Sequence, residues 1–359
     1  MKDVLIVGAG LAGCTVARVL AERGFSVSLI EKRNHIGGQC YDHKNGLGIT
    51  VHDYGPHIFH TESKVVWDFV NRFSAFNQYV HRVLSCVDDR FVPFPINRNT
   101  INMMFGTNIT DSDVRAFFQE KVKEAHVHMP PRNFEEAMIA QIGIDLYRWF
   151  IYSYTKKQWE CEPSNLNADL AGRIAIREND DDRFFTDAYQ GLPTGGYTYM
   201  LERMIDHPNI SVHCDVDFFK DKPSYENLVF TGRLDEYFGF CFGELTYRSL
   251  SLFTEDVETG DFQPTAVVNY PGNEKYTRIT EFKKMTGESS PKTTIMYEIP
   301  ARTGEPFYIV PDRENQRKRE LYMEKVAVLE SGGRYLFVGR LAEYKYYNMD
   351  QVILRAMER

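Results

Sequence analysis

The chain has 359 residues, 43% of them hydrophobic, with 42 Lys and Arg against 50 Asp and Glu for a formal net charge of −8. That length exceeds one average domain, so two or three packed units are expected. The acidic balance disfavours a nucleic-acid surface, which needs a basic stripe, but leaves room for an anionic small molecule held by local arginines.

The first element is the most legible. "VLIVGAG" reads as a buried strand closed by a glycine turn, and residues 11–23 carry apolar side chains at helical spacing. Gly24 ends that helix, and "FSVSLIEKR" is a second strand ending at Glu31. Strand, G-x-G-x-x-G, helix, strand and acid make up the dinucleotide-binding unit. Gly8 makes the turn, Gly10 leaves room for a pyrophosphate, and Gly13 lets the helix approach the sheet. Glu31 can bond the adenosine ribose, and the phosphates can sit on the helix N-terminus. A second glycine pair, Gly37 and Gly38, follows a short basic turn. It can wrap an extended, permanently held cofactor, so FAD is expected rather than a nicotinamide nucleotide.

"HDYGPHIFHTES" reads as a loop leading to a helix with Thr61 as its N-cap. Residues 79–96 read as a hairpin turning at Asp88 and Asp89. Residues 111–128 and 134–150 read as amphipathic helices separated by Pro130 and Pro131, and "YSYTKKQWECEPSNL" breaks the helical pattern. "GLPTGGYTYMLERMI" is a turn feeding a helix, and "NLVFTGRLDEYF" a strand returning to a glycine turn. Short β-like runs between 240 and 310 suggest a separate antiparallel wall. The end, "RYLFVGRLAEYKYYNMDQVILRAM", is strand, Gly339, loop, then a helix from Asn348 or Met349 whose N-terminus can face an anion.

Arg173, Arg248, Arg278 and Arg340 fall near strand ends or loops, where a guanidinium can pair bidentately with phosphate or simply form a surface ion pair. Tyr154 and Trp159 precede Arg173, and Tyr344 and Tyr346 follow Arg340. Hydroxyls can bond a diphosphate and flat rings can stack on a base, which sketches a nucleotide-diphosphate cleft beside the cofactor. His57 and His60 suit proton transfer or substrate orientation, and equally plain packing. No G-x-S-x-G, H-E-x-x-H or Walker A motif occurs, so the cofactor must supply the hard chemistry. Six cysteines (Cys14, Cys40, Cys86, Cys161, Cys214 and Cys241) include no C-x-x-C pair, which fits free thiols in a reducing compartment and no bound metal. No leader or membrane span is read, so a cytoplasmic protein is expected.

The ordered series "GAGLAG", "EKRNHIGG", "GPHIFHT", "FPINRNTIN", "YTKKQW", "LAGRIAIR", "YQGLPTGGYT", "TGRLDEYF", "GELTYRSL", "YTRITEF" and "GRLAEYKYYNMDQVI" resembles prokaryotic UDP-galactopyranose mutases over nearly the whole chain. The resemblance implies α/β architecture with α+β insertions: a Rossmann-like FAD-binding domain, a helical bundle and a twisted antiparallel sheet. The expected divisions are 1–78, 190–239 and 325–359 for the FAD domain, 98–189 for a mainly helical substrate and lid domain, and 79–97 with 240–324 for the sheet. The implied reaction interconverts UDP-galactopyranose and UDP-galactofuranose. It runs through a covalent bond from the N5 of reduced FAD to the sugar, with no net redox. An external reductant such as NAD(P)H is implied, and a homodimer is a further expectation.

Carried over by residue, the resemblance makes Arg173, Arg278, His60 and Arg340 the catalytic side chains. Gly8, Gly10, Leu11, Gly13, Glu31, Lys32, Gly38, Gly55, His57, Ile58, Arg340, Asn348, Met349 and Asp350 bind the cofactor. Phe150, Tyr154, Trp159, Arg173, Phe184, Arg248, Asn269, Arg278, Tyr308, Arg340 and Tyr346 bind substrate, with Tyr154 stacking on uracil. The chain departs from the family pattern at Phe184, where relatives often carry tyrosine, at Asn348, where aspartate is common, and in "PFYIVP" around Tyr308. The competing reading is an FAD-dependent oxidoreductase of the amine-oxidase or desaturase type, whose N-terminal fingerprint looks the same. A flavoprotein retained only for binding is a third.

Overall fold

The computed structural model describes residues 3–359. Asp3–Val7 is a short apolar run, and it lies in the middle of a five-stranded parallel sheet. The spatial order is Tyr335–Phe337, Asn227–Phe230, Asp3–Val7, Ser26–Ile30, Ile210–His213. A parallel sheet needs cover on both faces. The helices Leu11–Glu22, Tyr197–Ile205 and Met349–Met357 share one apolar core with Ile6, Leu29 and Val229. On the other face Phe230 and Phe337 pack with Tyr322 and Val326 of Arg313–Ser331. That 19-residue helix escapes periodicity because it buries only Asn315, Tyr322 and Val326. Asp312 caps it, accepting from the Asn315 N–H at 2.7 Å. The helix runs unbroken through 324 and 325, so the division expected there cuts a continuous element.

The second sheet has seven strands in the order Tyr308–Ile309, Tyr247–Val257, Thr293–Ala301, Arg278–Glu281, Val267–Asn269, Val83–Val87, Arg90–Phe94. Every pairing is antiparallel except Val267–Asn269 with Val83–Val87, which is parallel. That parallel pair joins the hairpin at 83–94, which turns through left-handed Asp88 and Asp89, to the strands after 240.

The third unit is helical and has its own core around Ile101, Val114, Met138, Ile142 and Leu146. Two expectations are corrected here, and one unread helix is added. Thr61 does not cap the helix Lys64–Asn71. It ends the strand Phe59–Thr61, and Ser63 is the cap, its Oγ accepting from the Val66 N–H at 3.3 Å. Arg98–Phe105, which starts within "FPINRNTIN", is a helix that the sequence reading passed over; Asn97 and Thr100 cap it reciprocally. Finally, "YSYTKKQW" does not end the helical run. Phe134–Leu146 continues through a π turn at Tyr147–Tyr152 into Ser153–Trp159. A π turn adds one residue to the spiral and shifts the apolar period, so a strict 3.6 repeat is lost where the backbone stays helical. Gly143 also breaks the ladder at φ 76°, and a Cβ there would stand 2.6 Å from the Lys121 Cβ.

Candidate active site

The carboxyl ends of the parallel strands open on a cavity of about 280 Å³. It is lined by Gly8, Gly10, Leu11, Glu31, Lys32, Gly38, His57, Arg340 and Met349, all expected cofactor residues. The glycines divide the labour as their spacing predicts. A Cβ on Gly13 would lie 1.9 Å from the Gly8 carbonyl oxygen, so the helix can approach the strand only without one. A Cβ on Gly10 would meet nothing closer than the Gly38 Cα at 3.7 Å. The space before Gly10 therefore belongs to the cavity. Gly10 offers no side-chain cap to Leu11–Glu22, leaving first-turn N–H groups for an anion. Glu31 is buried, with Oε2 accepting from the Ala9 N–H at 2.9 Å and Oε1 from the Arg33 N–H at 3.1 Å. An uncapped helix N-terminus, open space before Gly10 and a fixed acid at the strand end fit the pyrophosphate and ribose of a dinucleotide.

Gly13, Gly55, Ile58, Asn348 and Asp350, also expected to bind the cofactor, do not line the cavity. Gly55 accepts the Nδ1–H of His57 at 2.8 Å, and Ile58 packs against the core of the second sheet. Asn348 starts the last helix, its N–H donating to Gln351 Oε1 at 2.9 Å. Asp350 accepts from Thr61 Oγ1 at 2.9 Å. Burial lowers His57 to about 4, so the imidazole is neutral, with Nδ1 occupied and Nε2 left as the acceptor. The far wall went unread in the sequence: Thr231, Gly232 and Arg233 of "TGRLDEYF", and Glu305 with Pro306. The first group carried a signal, a strand ending in Thr-Gly at the same sheet edge as Gly8.

Arg340 joins this cavity to a second cluster. Its Nη2 donates to the Tyr347 carbonyl at 2.8 Å and Nη1 to the Phe307 carbonyl at 3.3 Å. Its guanidinium lies 5.1 Å from the Tyr346 ring, and that of Arg173 lies 4.4 Å from the same ring. Tyr346 runs nearly parallel to Tyr308, centroids 6.4 Å apart. Arg278 donates from Nη2 to the Tyr154 hydroxyl at 3.2 Å, and its Nη1 stands 3.5 Å from Glu298. In the sheet, Arg278 is in register with Asn269 on one side and Glu298 on the other. Burial raises the Glu298 carboxyl despite that arginine. Arg278 Nε, Asn269 Oδ1 and Arg248 Nη2 are buried without partners, an arrangement that a polar ligand would satisfy.

Other expected substrate residues have protein partners. Arg248 donates from Nε to the Gln158 carbonyl and pairs through Nη1 with Glu160 at 3.0 Å, so most of its fork ties down the end of Ser153–Trp159. Phe150 is 3% exposed within the helical core. Trp159 ends the helix half-buried. Phe184 donates its N–H to the His81 carbonyl at 2.7 Å, and its ring packs edge-on against His81 and Phe185. His60 is oriented by Asp187, Nδ1 to Oδ2 at 3.1 Å, and stacks on Phe185 with centroids 3.7 Å apart. His81 is buried, and desolvation first and then the Arg278 charge push it down to about 3. Glu298, Asp187 and His81 were all missed in the sequence. Only Glu298, a carboxylate amid the apolar run "TTIMYEIP", carried a local signal.

Fold and site together define an α/β dinucleotide-binding protein whose cofactor cavity abuts an arginine- and tyrosine-lined cleft. The family model for UDP-galactopyranose mutase matches residues 149–346, and one for an NAD(P)-binding Rossmann-like domain matches 6–73. The chain belongs to the UDP-galactopyranose mutase family. It is 38% identical to a probable UDP-galactopyranose mutase of Klebsiella pneumoniae over 99% of this chain and 93% of that protein. A dTDP-fucopyranose mutase of Escherichia coli is 34% identical over 100% and 97%. A crystal structure of reduced UDP-galactopyranose mutase shares the fold at a TM-score of 0.76 and 18% identity, covering 100% of this chain and 93% of that one. Among the described residues, no helix is long and apolar enough to cross a membrane.

Proposed function

We propose that the chain interconverts UDP-galactopyranose and UDP-galactofuranose with FAD held in the 280 Å³ cavity. The observation that carries the reading is the Arg278–Tyr154, Tyr308, Tyr346 and Arg173 cluster, joined to the cofactor cavity through Arg340. Reduced FAD, when bound, supplies a nucleophilic nitrogen to the anomeric carbon and is regenerated without net redox.

The protein's own work is binding, orientation and charge. Arg278 and Arg173 take the diphosphate oxygens as the bond to the sugar breaks, and hold the released nucleotide until the ring recloses. The hydroxyls of Tyr308 and Tyr346 add neutral donors beside them. His57 stays neutral above about pH 4 and can accept, but not repel, a donor in the cofactor cavity. His60, fixed by Asp187, presents its other nitrogen as a partner for a sugar hydroxyl.

The 34% identity to a dTDP-fucopyranose mutase makes a deoxythymidine nucleotide of a 6-deoxyhexose the second reading. Both are tested by incubating the FAD enzyme, reduced or oxidised, with UDP-galactofuranose, UDP-galactopyranose or dTDP-fucopyranose and separating the products. Conversion of the UDP sugars by the reduced form alone, with the flavin still reduced afterwards, is expected. Faster conversion of dTDP-fucopyranose would select the second reading. Turnover coupled to flavin oxidation would sink both.

A further inference from the structure

The "YTKKQW" motif also carries Lys157. Lys157 projects from Ser153–Trp159 into the turn that links Val267–Asn269 to Arg278–Glu281. Its Nζ donates to the carbonyl oxygens of Tyr270 at 2.6 Å, Tyr276 at 2.9 Å and Glu274 at 3.0 Å. An ammonium has three protons, and three backbone oxygens take them all. The Glu274 carboxylate stands 3.9 Å away. The turn is closed at its base by the Tyr270 N–H on the Thr277 carbonyl at 2.9 Å. Its two feet are Asn269 and Arg278, directly in register.

Tyr154 lies three residues before Lys157, on the same side of the helix. Its hydroxyl accepts from Arg278 at 3.2 Å. The lysine cage and the Tyr154–Arg278 bond therefore cross one helix-to-sheet interface a turn apart. Arg248 does not duplicate this tie, because it grips Gln158 and Glu160 from a different strand. We propose that Lys157 is a positioning residue for the nucleotide sugar: by pinning the 270–277 turn to the helix, it sets the spacing between Tyr154 and the Asn269–Arg278 pair that clasps the nucleotide. The inference rests on the mutase reading. It also explains the residue type. A compact ammonium with three tetrahedral donors fits three converging carbonyls, whereas a planar guanidinium spreads its donors in a fork.

The test compares Lys157→Met, Lys157→Arg, Tyr154→Phe and the Lys157→Met/Tyr154→Phe double variant as FAD holoenzymes. The readouts are the dissociation constant for UDP by tryptophan fluorescence, kcat and KM with reduced flavin, and flavin content by absorbance. Lys157→Met is expected to raise both the UDP dissociation constant and KM about tenfold, with kcat within about twofold and flavin content unchanged. Lys157→Arg should show the same direction of change and serves if the methionine variant does not fold. The loss caused by Tyr154→Phe should shrink in the Lys157→Met background, because both act through one clasp. Unchanged UDP affinity in both Lys157 variants, or fully additive losses in the double variant, overturns the proposal. Wild-type enzyme that binds no UDP takes the mutase reading down with it; wild-type enzyme that binds and turns over beside unaltered Lys157 variants defeats the lysine inference alone.

Discussion

The cofactor cradle and the substrate cleft are built in opposite ways. The cradle is mostly backbone: a glycine turn, a bare helix N-terminus and one acid, with Gly8, Gly10, Gly13 and Glu31 inside a stretch of 24 residues. The cleft is mostly side chains: Tyr154 from a helix after a π turn, Arg173 from a short 3₁₀ segment, Arg278 and Asn269 from the second sheet, and Tyr346 from the loop before the last helix. A backbone site fails when atoms are added. A side-chain site fails when atoms are removed.

The largest expected effect attacks the first half of that contrast. Gly13→Val places a branched side chain where the Cβ alone would be 1.9 Å from the Gly8 oxygen. It should purify without flavin or not fold, as read by absorbance and circular dichroism; normal flavin content would break the account of the cradle. Next, Arg278→Ala removes a donor from the cleft and leaves Glu298 buried without its cation. It should lower kcat/KM by about 10²–10³-fold, roughly 3–4 kcal/mol, while retaining flavin. A loss below fivefold would move the diphosphate elsewhere.

Acid should strain both regions, through different imidazoles. His57 in the cradle and the buried His52, whose Nδ1 accepts the His57 N–H at 3.0 Å, are held down to about 4, and His81 by the cleft to about 3, in each case chiefly by burial. Unfolded, each takes its proton near 6.5. Between about 6.5 and 4 the unfolded chain therefore binds more protons, so stability is intact above that window and falls as pH drops through it. Each buried imidazole contributes up to about 3 kcal/mol to that loss. Thermal unfolding from pH 7 to 4 measures it, and His81→Asn should flatten part of the slope. A melting temperature independent of pH across this range would contradict the burial of these rings. The smallest effect is Asn97→Ala. It breaks the reciprocal cap of Arg98–Phe105 in the helical unit and should cost about 1 kcal/mol of stability with kcat unchanged.

The cradle was legible because its information is local. Gly8 to Glu31 announce strand, turn, helix and strand by spacing alone, and the cavity lies where those elements end. The arginines of the cleft were legible as candidates but not as an arrangement. Arg278 and Arg248 read alike in the sequence, and each keeps one orphaned nitrogen, yet Arg278 meets the Tyr154 hydroxyl while Arg248 holds Gln158 and Glu160. Phe150 read as part of a uridine site and is buried in the helical core. Asp187 could not be found at all, since nothing local marks a carboxylate that will meet a histidine 127 residues away.

By itself the sequence determined that a dinucleotide fits at the N-terminus, because a glycine's missing Cβ and a helix's free N–H groups act within one turn of the chain. It also carried the order of motifs that places the protein in its family. Only the tertiary structure decided which arginines face one another, which tyrosine meets Arg278, and that Lys157 spans to a turn more than a hundred residues on. Side-chain bonds of about 3 Å are set by the packing of whole units, and that distance information is not written in any local stretch of residues.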